Sequence, residues 1–218
     1  MKKVAIIVAG GSGSRMNAPL PKQFLLIANE PVLFHTLRKF EKVADQTILV
    51  MHPEWITHWK QLIIDHHFTL EHSIVSGGET RAESVYNGLK TIDSNCLVAV
   101  HDAARPLVTT HLIEQTFETA EKHGACIPVI SLKESIRRIQ EGGSSSFVNR
   151  EEYKIVQTPQ TFQYKLLMEA YANENRAYFT DDASLVEASG QPVFLIEGEE
   201  SNIKITLPTD LIIAQQFI

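Results

Sequence analysis

The glycine-rich segment that follows the first apolar run is the part of the sequence best suited to chemistry. In residues 3–8, Lys3 is followed by apolar and mostly β-branched residues without alternation, which is typical of a parallel strand covered on both faces. Glycines after such a strand let backbone N–H groups approach phosphate oxygens, while Arg15 and Lys22 supply positive charge. We therefore predict a nucleoside triphosphate site in which Arg15 and Lys22 are catalytic and the loop binds the ligand through Ala9, Gly10, Gly11 and Gly13.

This loop differs from the two best-known phosphate-binding loops. A dinucleotide fingerprint needs a small residue at the position of Met16, because the following helix packs closely there. No window of the segment has the glycine, lysine and hydroxyl spacing of a P-loop. Taken alone, the segment is also compatible with a tight turn that carries two surface cations.

A second candidate is Asp102, which lies just after the apolar run of residues 97–100. Open α/β sheets bind ligands at the carboxyl ends of their strands, where this side chain is expected to lie. Mg²⁺ takes one or two protein carboxylates and completes its coordination with water and substrate phosphates, so we predict that Asp102 binds Mg²⁺ or another divalent cation. The alternative is structural, with Asp102 capping a turn and Arg105 in a surface ion pair.

Apolar runs of strand length alternate with segments of helical periodicity. The predicted strands after the first are residues 47–51, 97–101, 125–130 and 193–196, and the predicted helices are residues 31–40, 54–66, 81–89, 110–123 and 163–173, with Thr109 and Thr110 as possible caps of the fourth helix. This alternation predicts an α/β fold with a doubly wound, mainly parallel sheet. A length of 218 residues suits a single domain over 1–218.

Residues 131–155 interrupt the alternation. A Gly-Gly-Ser-Ser-Ser core lies between two charged runs, which predicts a projecting β-hairpin too polar for the central sheet. The apolar side chains of this arm would need a partner surface, and they are Ile136, Ile139, Phe147, Val148, Tyr153 and Ile155. A two-fold homodimer, the commonest oligomer, would supply that surface.

Composition excludes several classes of protein. Twenty basic and 26 acidic residues give a net charge of −6, which argues against a nucleic-acid surface. The sequence has no run of 18 apolar residues that would span a membrane, and its start lacks the apolar region of a signal peptide. Cys96 and Cys126 lack metal-ligand spacing and are predicted to be buried, reduced thiols. These features predict a cytoplasmic protein.

Five further motifs make the sequence recognisable. In chain order they are GGETRAESV from Gly77, VHDAARP from Val100, QTPQTF from Gln157, TDDAS from Thr180 and NIKIT from Asn202. Together with the first loop they resemble, over nearly the whole chain, the 2-C-methyl-D-erythritol 4-phosphate cytidylyltransferases of isoprenoid biosynthesis. The resemblance implies a nucleotidyltransferase fold of Rossmann-like type, CTP and 2-C-methyl-D-erythritol 4-phosphate as substrates, and a homodimer whose arms reach the neighbouring active site.

The resemblance assigns further residues. Arg150 on the arm and Lys204 match the positions that grip the methylerythritol phosphate and orient it, with Arg150 acting on the partner's site. Arg105, Ser135 and Thr158 match positions near that phosphate or its hydroxyl groups. The implied cytidine pocket contains Ala9, Gly10, Gly11, Gly78, Ser84 and Ala103. For Ser84, a hydroxyl turned towards its own helix is the structural alternative.

The implied reaction needs no catalytic histidine, serine or cysteine. A phosphate monoester has a second pKa of about 6, so the acceptor is a dianion near neutral pH and can itself attack the α-phosphorus of CTP. The protein must align two anions and stabilise the growing charge.

Two other functions stay open on the sequence. A ribitol-5-phosphate cytidylyltransferase differs only in its polyol, and Glu79, Ser135 and Asn149 depart from the usual pattern of the isoprenoid enzymes. An inactive nucleotide-binding regulator is the alternative from another class. The joint presence of Arg15, Lys22, Asp102, Arg150 and Lys204 argues against it, because a regulator would not need transition-state cations.

Overall fold

The computed structural model describes residues 1–10, 20–92, 95–172 and 178–218. Its strands are β1 (Lys2–Ala9), β2 (Leu26–Ile27), β3 (Glu30–Pro31), β4 (Gln46–Met51), β5 (Ser73–Ser76), β6 (Cys96–Asp102), β7 (Ala125–Ser131), β8 (Arg137–Ile139), β9 (Ser145–Phe147), β10 (Lys154–Val156), β11 (Gln160–Gln163) and β12 (Phe194–Glu197). Its helices are α1 (Val32–Glu41), α2 (Pro53–Asp65), α3 (Arg81–Leu89), α4 (Thr110–His123), α5 (Tyr164–Tyr171), α6 (Asp182–Ala188) and α7 (Pro208–Gln215).

The main sheet is mixed but mainly parallel. Its order is β10-β7-β11-β6-β1-β4-β5, and β12 pairs with β7. Strand β1 is parallel to both β4 and β6, whereas β11 runs antiparallel between β6 and β7. The predicted α/β fold with a doubly wound sheet is confirmed, and the carboxyl ends of β1 and β6 lie side by side, with Val8 opposite Asp102.

Helices cover both faces of the sheet. Alternate residues of β1 enter two different cores, as expected for a strand buried on both faces. Ile6 packs with residues of α3, α5 and α6, whereas Ile7 packs with residues of α1, α2 and α4. Cys96 and Cys126 are buried as predicted, and burial raises the pKa of the Cys126 thiol to about 12.

The ends of two helices next to the sheet edge are defined by side-chain caps. Thr109, one of the two predicted caps, accepts a hydrogen bond from the Leu112 N–H at 3.1 Å and starts α4. Thr80 and Glu83 form a reciprocal capping box at the start of α3. The cap holds the α3 N-terminus beside the ends of β1 and β4.

The arm contains the predicted hairpin. Strands β8 and β9 pair with each other and form a small sheet of their own. Ile139 and Phe147 are 76% and 78% exposed. Of the described helices, none is both long enough and apolar enough to cross a membrane.

The prediction that residues 131–155 stay outside the central sheet is wrong at both ends of the range. Ser131 belongs to β7, and Lys154 and Ile155 belong to β10, which pairs with β7 in the main sheet. An edge strand is held by backbone hydrogen bonds and can keep its side chains in solvent, so a polar composition did not prevent the pairing.

Candidate active site

Two cavities adjoin at the carboxyl edge of the sheet. The first has a volume of about 440 Å³, and the second has a volume of about 350 Å³. Arg81, Asp102 and Lys204 line both, so the two cavities meet at a group of charged side chains. Open α/β sheets bind ligands at this edge.

Many of the sequence-predicted residues come together here. The first cavity is lined by Ala9, Gly10, Lys22, Ser84, Asp102, Ala103 and Lys204, and the second by Asp102, Arg105, Thr158 and Lys204. Gly78 lies in the loop before α3, where its N–H donates to Ser84 Oγ at 3.1 Å. Gly11, Gly13 and Arg15 lie outside the described residues.

A short helical turn positions Lys22 at the first cavity. Residues Lys22–Phe24 form a 3₁₀ turn after Pro21. The Gln23 side chain donates to the backbone oxygen of Ala9 at 2.9 Å, which ties this turn to the end of β1. Phe24 is buried and anchors the turn in the core below. These contacts place a cation at the wall of the cavity that Gly10 also lines.

Ser84 connects the two glycine segments of the first cavity. Its hydroxyl donates to the Thr80 carbonyl oxygen at 3.0 Å. The Ser84 hydroxyl is therefore turned towards its own helix, which was the structural alternative to a role in the cytidine pocket. The same oxygen would lie 2.8 Å from a Cβ at Gly77 and 3.3 Å from one at Gly10. Both positions therefore favour glycine because Ser84 approaches their backbone closely.

Asp102 is surrounded by three cations. Its Oδ2 lies 2.8 Å from Lys204 Nζ and 3.6 Å from Arg105 Nε, and its Oδ1 lies 3.7 Å from Arg81 Nε. Burial alone would raise the pKa of this carboxyl, but the charges of Lys204, Arg81 and Arg105 outweigh it and hold the pKa well below its usual range. Asp102 is therefore an anion whose position fixes three cations.

A network of backbone and side-chain hydrogen bonds holds the turn after β6. The Ala103 N–H donates to the Val8 oxygen at 3.1 Å, and the Thr36 hydroxyl donates to the Ala103 oxygen at 2.9 Å. The Asp102 N–H donates to Thr158 Oγ1 at 3.2 Å. These bonds restrain the backbone on both sides of the Asp102 side chain.

His101 completes this network as a neutral side chain. Burial lowers its pKa to about 3, so the ring carries no charge at neutral pH. Nε2 faces the Arg105 carbonyl oxygen at 3.2 Å and therefore donates, while Nδ1 accepts from the Thr158 hydroxyl at 3.0 Å. With both nitrogens occupied, His101 orients its neighbours and is not placed to act as a base.

The segment that carries Lys204 lies against the turn after β6. Arg105 Nη1 donates to the Asn202 oxygen at 2.6 Å, and the Ile205 N–H donates to the Ala104 oxygen at 2.8 Å. The fully buried Asn202 side chain donates to the Thr158 oxygen at 2.9 Å. Lys204 is thereby directed at Asp102, and Arg105 Nε stays buried without a hydrogen-bond partner among the described residues.

The two arm residues do not join this cluster within one chain. Ser135 and Arg150 are both exposed, and neither lines one of the two cavities. The Arg150 guanidinium instead donates to the Lys133 oxygen at 2.6 Å at the base of the arm. Their assignment to a substrate site stays a prediction that depends on a second subunit.

The donor set at Asp102 fits a cation that arrives with a phosphate ligand. Oδ2 is bound by Lys204, whereas Oδ1 has Arg81 only at ion-pair distance. No group of three or more His, Cys, Asp or Glu side chains suited to a metal occurs in the described part of the chain. Mg²⁺ needs one carboxylate when phosphates and water supply its other ligands, and Asp102 meets that need.

Sequence reasoning missed several residues of the first cavity, which are Val8, Gln23, His52, Glu79, Thr80, Arg81 and Ala104. Arg81 and Thr80 were visible inside the GGETRAESV motif, next to predicted residues. Gln23 follows Lys22 directly, but a neutral side chain in a short turn gave no separate signal.

Comparisons with known proteins agree over the whole chain. The family described as 2-C-methyl-D-erythritol 4-phosphate cytidylyltransferase matches residues 3–218. The enzyme of that name from Bacteroides thetaiotaomicron is 52% identical over 213 residues, which cover 97% of each chain, and the one from Bacteroides fragilis is 46% identical over the full length of both.

Solved structures show the same likeness. The crystal structure of 2-C-methyl-D-erythritol 4-phosphate cytidylyltransferase from Thermus thermophilus matches with a TM-score of 0.82 and 33% identity, covering 99% of this chain and 98% of that one. The 4-diphosphocytidyl-2C-methyl-D-erythritol synthase from Anaerococcus prevotii matches with a TM-score of 0.84 and 31% identity, covering 99% and 97%. The resemblance found in the motifs is therefore confirmed, and this chain belongs to the 2-C-methyl-D-erythritol 4-phosphate cytidylyltransferase family.

Proposed function

We propose that this protein transfers the cytidylyl group of CTP to 2-C-methyl-D-erythritol 4-phosphate. The products are 4-diphosphocytidyl-2-C-methyl-D-erythritol and pyrophosphate, in the non-mevalonate route to isoprenoid precursors. The observation that carries the proposal is the pair of adjoining cavities that share Arg81, Asp102 and Lys204. A site that joins two anions needs two pockets that open onto common cations, and the family of the chain supplies the identity of the anions.

In the proposed mechanism the first cavity binds CTP and the second binds the polyol phosphate. A phosphate oxygen of the acceptor forms a new bond to the α-phosphorus, and the bond to the bridging oxygen of the β-phosphate breaks, releasing pyrophosphate. Lys204 and Arg105 orient the acceptor phosphate, since both line the second cavity beside Asp102. Lys22 and Arg15 stabilise the charge that grows on the α-phosphate.

Magnesium is part of the proposal. Asp102 would hold the ion through Oδ1, and bound Mg²⁺ would neutralise triphosphate charge and improve pyrophosphate as a leaving group. The protein's own contribution at this point is a fixed, ionised carboxylate.

The absence of a general base from this scheme agrees with the state of His101. Its neutral ring already binds Thr158 and the Arg105 carbonyl oxygen. The acceptor phosphate is ionised near neutral pH, so no proton has to be removed from the nucleophile.

The first experiment measures pyrophosphate release with CTP and Mg²⁺, offering 2-C-methyl-D-erythritol 4-phosphate and D-ribitol 5-phosphate in separate reactions. We expect release with the methylerythritol phosphate and at most a small fraction of that rate with ribitol phosphate. Release with ribitol phosphate alone would move the protein to another cytidylyltransferase function. No release with either acceptor from a folded protein would support the inactive-regulator alternative.

We further propose a cytoplasmic homodimer in which the arms are exchanged. The arm exposes large apolar side chains, among them Ile139, Phe147 and Ile155, which a partner surface would cover. Arg150 and Ser135 are exposed in one chain, and a neighbouring site would give them a role. The cytoplasmic location is supported by two buried, reduced cysteines.

Arm exchange can be tested with mixed dimers. A chain with Lys22→Ala and a chain with Arg150→Ala are produced together under different affinity tags, and the mixed dimer is purified by both tags. If Arg150 acts on the partner's site, one of the two sites is intact and the mixed dimer retains about half of the wild-type activity. If Arg150 acts within its own chain, both sites are defective and activity stays near that of the single variants.

The matched control is the variant Arg138→Ala, because Arg138 is an exposed arginine on the same arm as Arg150. A homodimer of this control is expected to be fully active. A monomer in sedimentation analysis of the wild-type protein would contradict the proposed dimer directly.

A further inference from the structure

We propose that Arg81 is a substrate-contacting cation at the junction of the two cavities, and that Asp182 and Tyr171 are positioning residues that aim its guanidinium. The inference rests on the proposed cytidylyl transfer and adds a cation to it. None of these three residues was among those predicted from the sequence to act in the site.

The first argument is the location of Arg81. It is the first residue of α3, and its side chain lines both cavities. Nε lies 3.7 Å from Asp102 Oδ1, whereas Lys204 binds the other oxygen of that carboxylate. The Arg81 side chain remains 29% exposed, so a ligand in either cavity can reach it.

The second argument is the way the guanidinium is held. Arg81 Nη2 donates to Asp182 Oδ2 at 2.7 Å, and the Tyr171 hydroxyl donates to the other oxygen of the same carboxylate. Asp182 is completely buried, and its partner Tyr171 is 1% exposed. The guanidinium cannot change its position without separating a buried carboxylate from its cation.

Further hydrogen bonds fix Asp182 itself. The Gln160 side-chain oxygen accepts from the N–H groups of Asp182 and Ala183 at 3.0 and 2.9 Å. The Gln160 amide group donates to Asp181 at 2.9 Å. The chain of contacts therefore runs from β11 through the start of α6 to the guanidinium, all on fixed elements.

The third argument is electrostatic. Burial opposes the charge of Arg81, but the carboxylates of Asp182 at 2.7 Å and Asp102 at 3.7 Å compensate for it. The guanidinium is thus permanently charged, and a planar group with several N–H donors suits two phosphate groups at once. A cation held rigidly between two anions favours their close approach at the moment of attack, which acts on kcat more than on ground-state binding.

Removal of Arg81 alone would leave the buried Asp182 carboxylate without its cation, so the main test changes both residues. The variant Arg81→Gln with Asp182→Asn removes both charges together, so that no buried carboxylate is left without its cation. We expect it to fold, as judged by far-UV circular dichroism, with kcat lowered on the order of 100-fold. The KM for CTP is expected to stay within about threefold of the wild-type value. A kcat within threefold of wild type would overturn the proposal.

A second variant keeps the charges of Arg81 and Asp182 and changes only the orientation of the Arg81 guanidinium. Tyr171→Phe removes the hydroxyl that holds the Asp182 carboxylate, and we expect kcat to fall about fivefold with the KM for CTP unchanged. The control is Tyr86→Phe, because the Tyr86 ring stacks on Tyr171 at 6.2 Å and lines neither cavity. Equal kcat values for the two variants would overturn the positioning roles of Tyr171 and Asp182.

The wild-type protein separates this inference from the function on which it rests. A wild-type chain that releases no pyrophosphate with CTP and 2-C-methyl-D-erythritol 4-phosphate would refute the proposed function. If the wild-type chain is active and the double variant Arg81→Gln with Asp182→Asn is equally active, only the proposed role of Arg81 is refuted.

Discussion

We expect the substitution Asp102→Asn to lower kcat/KM on the order of 1,000-fold. The substitution keeps the size of the side chain and removes the charge that lies within 4 Å of Lys204, Arg105 and Arg81. Lys204 then loses the partner that holds its Nζ at 2.8 Å, and the proposed ligand for magnesium becomes a neutral oxygen. In the proposed mechanism both effects lower the rate of attack, because these groups align the acceptor and the triphosphate.

Steady-state kinetics at several Mg²⁺ concentrations checks this prediction. If Asp102 holds the metal, the variant needs more Mg²⁺ for half-maximal activity than the wild-type protein does. Asp65→Asn is the control, because Asp65 is an exposed carboxylate at the end of α2. A loss of less than tenfold for Asp102→Asn would mean that the three cations keep their function without the carboxylate.

Lys22→Met is expected to lower kcat on the order of 100-fold to 1,000-fold while the KM for CTP changes less than tenfold. The 3₁₀ turn and the Gln23 hydrogen bond to Ala9 hold Lys22 at the wall of the first cavity. In the proposed mechanism its charge acts where negative charge grows during the transfer, so its removal should affect the transition state more than the bound substrate. Methionine keeps the apolar stem of the side chain.

Initial rates over a range of CTP concentrations separate the two parameters for this variant. Lys60→Met serves as the control, since Lys60 is an exposed lysine on α2. A large increase in the KM for CTP with an unchanged kcat would assign Lys22 to nucleotide binding alone.

The elements that the sequence predicted well are those in which the hydrophobic pattern extends over many residues and burial is uniform along the element. Strands β1, β4, β6 and β7 each contain a continuous apolar run, and the structure buries nearly all of the residues in these runs. Helices α3 and α4 have the predicted bounds because threonine caps mark where each begins. In both cases local sequence and tertiary environment specify the same structure.

The elements that the sequence did not predict are short and contain polar residues. Strand β11 has the sequence QTFQ, and the buried side chains of Gln160 and Thr161 look like loop residues in the sequence. Their hydrogen-bond partners lie far away in the sequence, since Gln160 accepts from the start of α6 and Thr161 donates to Thr116. No window of local sequence contains those partners, so the strand could not be predicted from periodicity.

The same reasoning applies to the candidate site. Asp102 and Lys22 could be predicted because each lies near a strand end in a recognisable motif, and the structure brings both to the first cavity. The role proposed for Arg81 could not be predicted from the sequence, because its partner Asp182 lies 101 residues further along the chain. Motifs therefore identified the charged groups, whereas the way they are fixed in place depends on long-range contacts.

The pairing of β10 with β7 has a consequence for the entropy of assembly. Because Lys154 pairs with Ser131, the two ends of the arm are already joined in the single chain, and residues 132–153 form a closed loop. The entropy of closing that loop is lost when each chain folds, and the β8–β9 pairing removes further freedom from its tip. A surface that receives the arm then has to immobilise mainly side chains, so even a contact of modest area can support stable association.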